Sequence, residues 1–111
     1  MNERIRRIVA YGTYFNDFFA GLTDDVKMKF YYVFSILETQ ERLSTKFVKS
    51  IRDGLFELRI EYGGQIYRVF FIFDNGQVVV LFNGFQKKSQ KTPQKEIEKA
   101  LKIKEEYYAS K

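Results

Sequence analysis

A chain of 111 residues with twelve Phe, eight Tyr and no Cys or His has the length of one domain, 1–111, and enough apolar mass for a core without disulfides. The missing Cys and His exclude thiolate metal sites, thiol nucleophiles and imidazole bases, so chemistry falls to Lys, Arg, Tyr, Asp or Glu. The net charge of +5 equals that of one window, Lys87 to Lys104, where seven lysines face two glutamates; this favours either an anionic partner or a plain solvated basic face.

Ile5 to Tyr11 predicts a short first strand, ended by Gly12. From Tyr14 to Leu22, Phe15, Phe18, Phe19 and Leu22 recur at spacings of three and four, the signature of one helical face. Thr23 reads as the N-cap of a second helix, with Asp24 and Asp25 favoured by the dipole in its first turn. Its apolar stripe is Val26, Phe30, Val33, Phe34 and Leu37, and it is expected to run to about Arg42. Two such helices most simply cover one side of a sheet. Leu43 to Asp53 is polar and mixed, a connection that brings Lys46, Lys49 and Arg52 towards the sheet.

A three-stranded meander follows. Phe56, Leu58, Ile60 and Tyr62 point to one face of a strand, with Glu57, Arg59 and Glu61 on the other. After Gly63-Gly64, Ile66 to Phe73 is apolar on both faces except at Arg68, the pattern of a central strand. Asn75-Gly76 predicts a tight hairpin leading into Gln77 to Phe82. Gly84 to Lys91 reads as a basic loop, and Thr92-Pro93 opens a final helix with Ile97, Ala100, Leu101, Lys104 and Tyr108 on one face. The fold class is therefore α+β, helices packed on a small, mostly antiparallel sheet. Met1 to Arg7 lacks the apolar core of a signal peptide, and no run approaches the roughly 18 apolar residues of a membrane span. A cytoplasmic protein with no membrane partner is expected.

Arg68 is the most informative residue, because a guanidinium among Tyr67, Val69, Phe70 and Phe71 needs a counter-charge or a costly desolvation goes uncompensated. One account pairs it with Glu57 or Glu61 on the neighbouring strand; the other leaves it open to an anionic ligand. Arg59 faces the same choice. A two-residue loop at Gly63-Gly64 would set Arg59 opposite Arg68, whereas a three-residue loop would turn Arg68 to the other face. Lys87 and Lys88, with Lys91 and the aromatic Phe85 nearby, suit phosphate and base contacts on RNA, and Tyr67 is a second stacking candidate.

The blocks Gly54-Leu55-Phe56-Glu57-Leu58-Arg59, Tyr67-Arg68-Val69-Phe70-Phe71, Phe85-Gln86-Lys87-Lys88, and Lys91-Thr92-Pro93 with Glu96-Ile97 and Ala100 resemble the phage-derived HigB branch of the RelE/ParE toxin superfamily. The likeness runs from about Ile5 to Tyr108. It implies a RelE-like fold and the toxin of a type II toxin–antitoxin pair. The partner it implies is a cognate antitoxin, usually a helix-turn-helix protein. The activity it implies is a ribosome-dependent endoribonuclease that cuts mRNA in the decoding site; with no metal-ligand cluster in the sequence, that activity is expected to need no metal or other cofactor. Residue by residue, it implies catalytic roles for Arg59, Arg68, Lys87 and Lys88. Lys46, Lys49, Phe85, Lys91, Lys95 and Lys99 are the expected RNA contacts. Some relatives carry a tyrosine general acid in the last helix; Ile97 stands near that position here. Two other readings use the same basic sheet: a non-enzymatic inhibitor of DNA gyrase of the ParE kind, and a plain nucleic-acid-binding module.

Overall fold

The computed structural model describes residues 3–87 and 93–111, with Lys87 placed by its backbone. The chain runs β1 (Arg7–Ala10), α1 (Tyr14–Ala20), α2 (Asp24–Thr39), β2 (Val48–Arg52), β3 (Leu55–Tyr62), β4 (Gln65–Asp74), β5 (Val78–Lys87) and α3 (Gln94–Ala109). Five strands form one sheet in the order β1-β5-β4-β3-β2, so β4 is central, as its two-faced apolar pattern requires. Only the β1–β5 pairing is parallel; the other three are antiparallel.

The fold is α+β with helices on both faces. Phe15, Val26, Phe30, Val33 and Leu37 of α1 and α2 pack on Leu58, Ile60, Tyr67, Val69, Phe71, Val79 and Leu81. On the opposite face Ala100 and Ile103 of α3 meet Leu55, Phe70, Ile72, Val80 and Phe82. Thr23 caps α2 through Oγ1, which accepts from the Val26 amide at 3.4 Å. At its other end the Arg6 guanidinium donates to the carbonyls of Leu37, Gln40 and Glu41, filling acceptors that a helix C-terminus leaves open.

Four expectations need correction. The stretch read as a connection contains β2, in which only Val48 and Ile51 are half-buried, three residues apart across an irregular pairing, so its apolar signal is faint. The second helix ends at Thr39, short of Arg42. β5 continues through Asn83-Gly84 to Lys87, and those residues are strand, not basic loop. Finally, α3 buries Ala100 and Ile103 and packs Tyr107 inward, while Tyr108 is exposed. The predicted face was rotated by about one residue.

The continuation of β5 depends on a bulge. Val69 pairs with Gly84 but Phe71 pairs with Leu81, so one extra residue of β5 lies opposite Phe70. The bulge resets the alternation, and Phe82 and Phe85 both fall on the α3 face. Gly84 lands on the other face, where a Cβ would sit 2.4 Å from the Phe18 ring.

Candidate functional site

The Gly63-Gly64 turn is the two-residue loop: Tyr62 pairs with Gln65, and Arg59 lies directly opposite Arg68. Both glycines have positive φ, at 59° and 78°. On the other side of β4, Arg68 pairs with Phe85 and Ile66 with the Lys87 backbone. On the other side of β3, Lys49 of β2 pairs with Glu57. Cross-strand partners share a face, so Lys49, Glu57, Arg59, Arg68 and Phe85 hold positions on the α3 side of the sheet.

The two arginines differ in their freedom. Arg68 is 8% exposed and its Nε lies 3.3 Å from Oε1 of Glu57, itself 1% exposed. The distance is that of an ion pair, yet Nε makes no well-directed hydrogen bond among the described residues. Burial holds the Arg68 pKa below the ordinary arginine value; Glu57 opposes that shift and the neighbouring Arg59 adds to it. Arg59 is 41% exposed and its Nη2 lies 3.5 Å from Oε1 of the exposed Glu61. A solvent-screened pair of this kind is worth at most about 1 kcal/mol. Breaking a buried pair by removing one partner costs about 3–5 kcal/mol. Arg59 can therefore exchange its carboxylate for a phosphate at little cost, whereas Arg68 is fixed as part of the sheet. The pairing account of Arg68 holds, and the arginine-opposite-arginine geometry holds with it.

The remaining predicted residues divide. Lys46 is exposed and lines a cavity of about 220 Å³ with Lys29, Phe47, Arg59 and Glu61. Phe85 is half-buried, its ring 5.5 Å from that of Phe70, which makes it a wall of the α3-side core beside Arg68. Tyr67 cannot be a stacking platform: it is buried at 8% exposure on the α1/α2 face, 6.2 Å from the Phe30 ring. Lys95 and Lys99 are exposed on α3 and line a separate shallow cavity with Glu98, Leu101 and Lys102. Lys88 and Lys91 lie outside the described residues, as does the side chain of Lys87. Lys29 and Phe47 carry no functional signal in the sequence; α2 brings the first and the residue before β2 the second to the cavity beside Arg59. Among the described residues no group of Asp and Glu is arranged to hold a metal ion, and no helix is long and apolar enough to cross a membrane.

The family described as "Phage derived protein Gp49-like (DUF891)" matches residues 17–105, about four fifths of the chain. An uncharacterized protein of Haemophilus influenzae strain Rd is 49% identical over 43 residues, which is 39% of this chain and 42% of that protein. The match to that relative thus spans less than half the length of either protein. The family match includes α2, the whole β2–β5 meander and most of α3, and on it the chain belongs to the Gp49-like phage-derived family, a RelE/HigB-like toxin family.

Proposed function

We propose that this chain is the toxin of a type II toxin–antitoxin system of the HigB-like branch, a ribosome-dependent endoribonuclease that cleaves mRNA in the decoding site. Family membership implies an antitoxin partner, and a helix-turn-helix protein is the proposed one. The observation that carries the reading is the direct opposition of Arg59 and Arg68 on one sheet face, with only the weakly held Arg59 able to leave its carboxylate.

The reaction balances without an added reagent. The ribose 2′-oxygen attacks its adjacent 3′-phosphate in line; a P–O2′ bond forms, the P–O5′ bond breaks, and the 2′-proton is lost as the 5′-oxygen gains one. A cyclic phosphate and a 5′-hydroxyl result. Charge builds on the non-bridging oxygens in the transition state, where a guanidinium fork is the best-matched donor. Arg59 supplies that fork, beside the Glu57-paired Arg68 on the neighbouring strand. Lys87 and Lys88 are the proposed proton-transfer pair, since a lysine crowded by cations favours its neutral form. Lys49, Lys91, Lys95 and Lys99 attract and hold ribosome-bound RNA through long-range charge.

The test uses purified ribosomes programmed with a defined mRNA. The protein is expected to cut that mRNA, to cut the same mRNA poorly when free, because the decoding site supplies positioning, and to leave DNA gyrase supercoiling unchanged. Loss of gyrase supercoiling with intact mRNA would assign the ParE-like inhibitor instead. RNA binding with neither effect would assign a plain binding module.

A further inference from the structure

The cavity beside Arg59 contains residues that the cleavage chemistry leaves unused. β2 pairs with β3 only as far as Leu58, so the second half of β3 has no strand neighbour on that side. The Phe47 carbonyl accepts from the Arg59 amide at 2.7 Å and marks the end of that contact. Beyond it the edge of β3 opens, and Lys29 of α2, which packs on the opposite face, lines the same space as Lys46, Phe47, Arg59 and Glu61.

Three cations surround this space against one exposed carboxylate, and that carboxylate already sits on Arg59 at 3.5 Å. The volume of about 220 Å³ lies below the ~300–1,000 Å³ of sites that enclose a small molecule. A whole nucleotide does not fit; a phosphate with part of its ribose does. Phe47 is half-buried and gives the sugar an apolar wall, with the Lys46 ammonium 5.5 Å over its ring. The Lys29 ammonium stands 5.2 Å over the Tyr32 ring and lines the same space.

We propose that this cavity holds a backbone phosphate of single-stranded RNA, next along the strand from the phosphate handled at Arg59. Arg59 belongs to both surfaces and joins them around the free edge of β3. The identity of the strand as mRNA rests on the ribonuclease reading above; the phosphate site itself does not.

The experiment measures binding of a labelled, uncleavable 2′-O-methyl single-stranded oligonucleotide by fluorescence anisotropy across a salt series. Wild type is compared with Lys29→Gln, Lys46→Gln, the double variant and Lys27→Gln, which removes the same charge from the same helix outside the cavity. Lys29→Gln and Lys46→Gln should each weaken binding about fivefold, as expected for an exposed charge-assisted contact. The double variant should lower the slope of log K against log salt by about 0.7, one single-strand phosphate contact. Affinities and slopes indistinguishable from those of Lys27→Gln would overturn the site. Cleavage on programmed ribosomes, run in parallel, separates the two readings. Cavity-dependent binding by a wild-type protein that leaves the mRNA intact keeps the phosphate site and rejects the nuclease. Normal cleavage with no effect of either lysine rejects the phosphate site alone.

Discussion

The Glu57–Arg68 pair permits a quantitative prediction. Arg68→Met keeps much of the side-chain stem but removes the guanidinium from a carboxylate that is 1% exposed. Cutting one partner from a buried pair costs about 3–5 kcal/mol. The skewed Nε contact at 3.3 Å places the expected loss near the bottom of that range. At a urea slope of about 1.5 kcal/mol/M, a loss of about 3 kcal/mol lowers the unfolding midpoint by about 2 M. Glu57→Gln should also destabilise, because it leaves the Arg68 guanidinium buried without its carboxylate. The double variant Glu57→Gln/Arg68→Met should be far more stable than the sum of the two losses, by about 1.5 kcal/mol or more. Equilibrium urea unfolding followed by far-ultraviolet circular dichroism measures all four proteins. Strict additivity, or a single Arg68→Met variant as stable as wild type, would refute the claim that this pair is a fixed part of the sheet. The same argument makes Arg68→Ala a poor test of chemistry, since loss of activity and loss of fold would arrive together.

Other consequences follow from specific contacts. Gly84→Ala would push a Cβ to 2.4 Å from the Phe18 ring, and overpacking of this kind should cost about 1–3 kcal/mol in the same unfolding assay. Phe30→Ala removes a fully buried ring that touches those of Phe15, Phe18, Phe19, Phe34 and Tyr67, and should cost about 3–5 kcal/mol. Asp74 accepts from Lys111 Nζ at 2.6 Å and from the Tyr107 hydroxyl at 2.5 Å, and these bonds, Lys111 first, hold its pKa below the usual aspartate value. A depressed carboxylate stabilises the fold above its unfolded pKa of about 4, and the effect fades as pH falls through the lower folded value. Asp74→Asn should therefore lower the melting temperature at pH 7 and converge with wild type in strong acid. Cleavage should persist in EDTA when ribosomes are kept intact by polyamines, because the proposed chemistry uses guanidinium charge in place of a metal.

Local turn chemistry was the most legible part of the chain. Thr23 and Gly63-Gly64 specify their geometry from a few adjacent residues and form as expected; Asn75-Gly76 turns where expected, but Gln77 joins the loop and Asp74 pairs with Val78. The Arg59–Arg68 opposition followed from the first of those hairpins. What depended on distant partners was hidden. β2 is a strand because β3 offers it an edge, and a run as polar as Val48–Arg52 carries almost no signal of its own. The Asn83-Gly84 pair looks like the end of a strand, since glycine usually stops one; here Gly84 stays in the strand and is needed because Phe18 occupies the place of its Cβ. On α3, Ile97, Ala100 and Leu101 fit two neighbouring faces equally well. The Tyr107–Asp74 bond and the Asn83 amide donating to Glu96 mark the one the fold uses. Of the cavity beside Arg59 only Lys46 and Arg59 were legible, because Lys29 reaches it from α2 and Phe47 from the residue before β2.

The central claim is that translated mRNA is the target and that Arg59 touches the scissile phosphate. Primer extension on a defined transcript, in cells expressing wild type or Arg59→Gln, tests it most directly. Arg59 is exposed and its ion pair is weak, so the variant should fold normally. The account predicts discrete new 5′ ends within the translated reading frame for wild type, reduced by on the order of 10²–10³ in rate for Arg59→Gln. Intact transcripts during growth arrest, or cleavage undiminished in a folded Arg59→Gln protein, would contradict it.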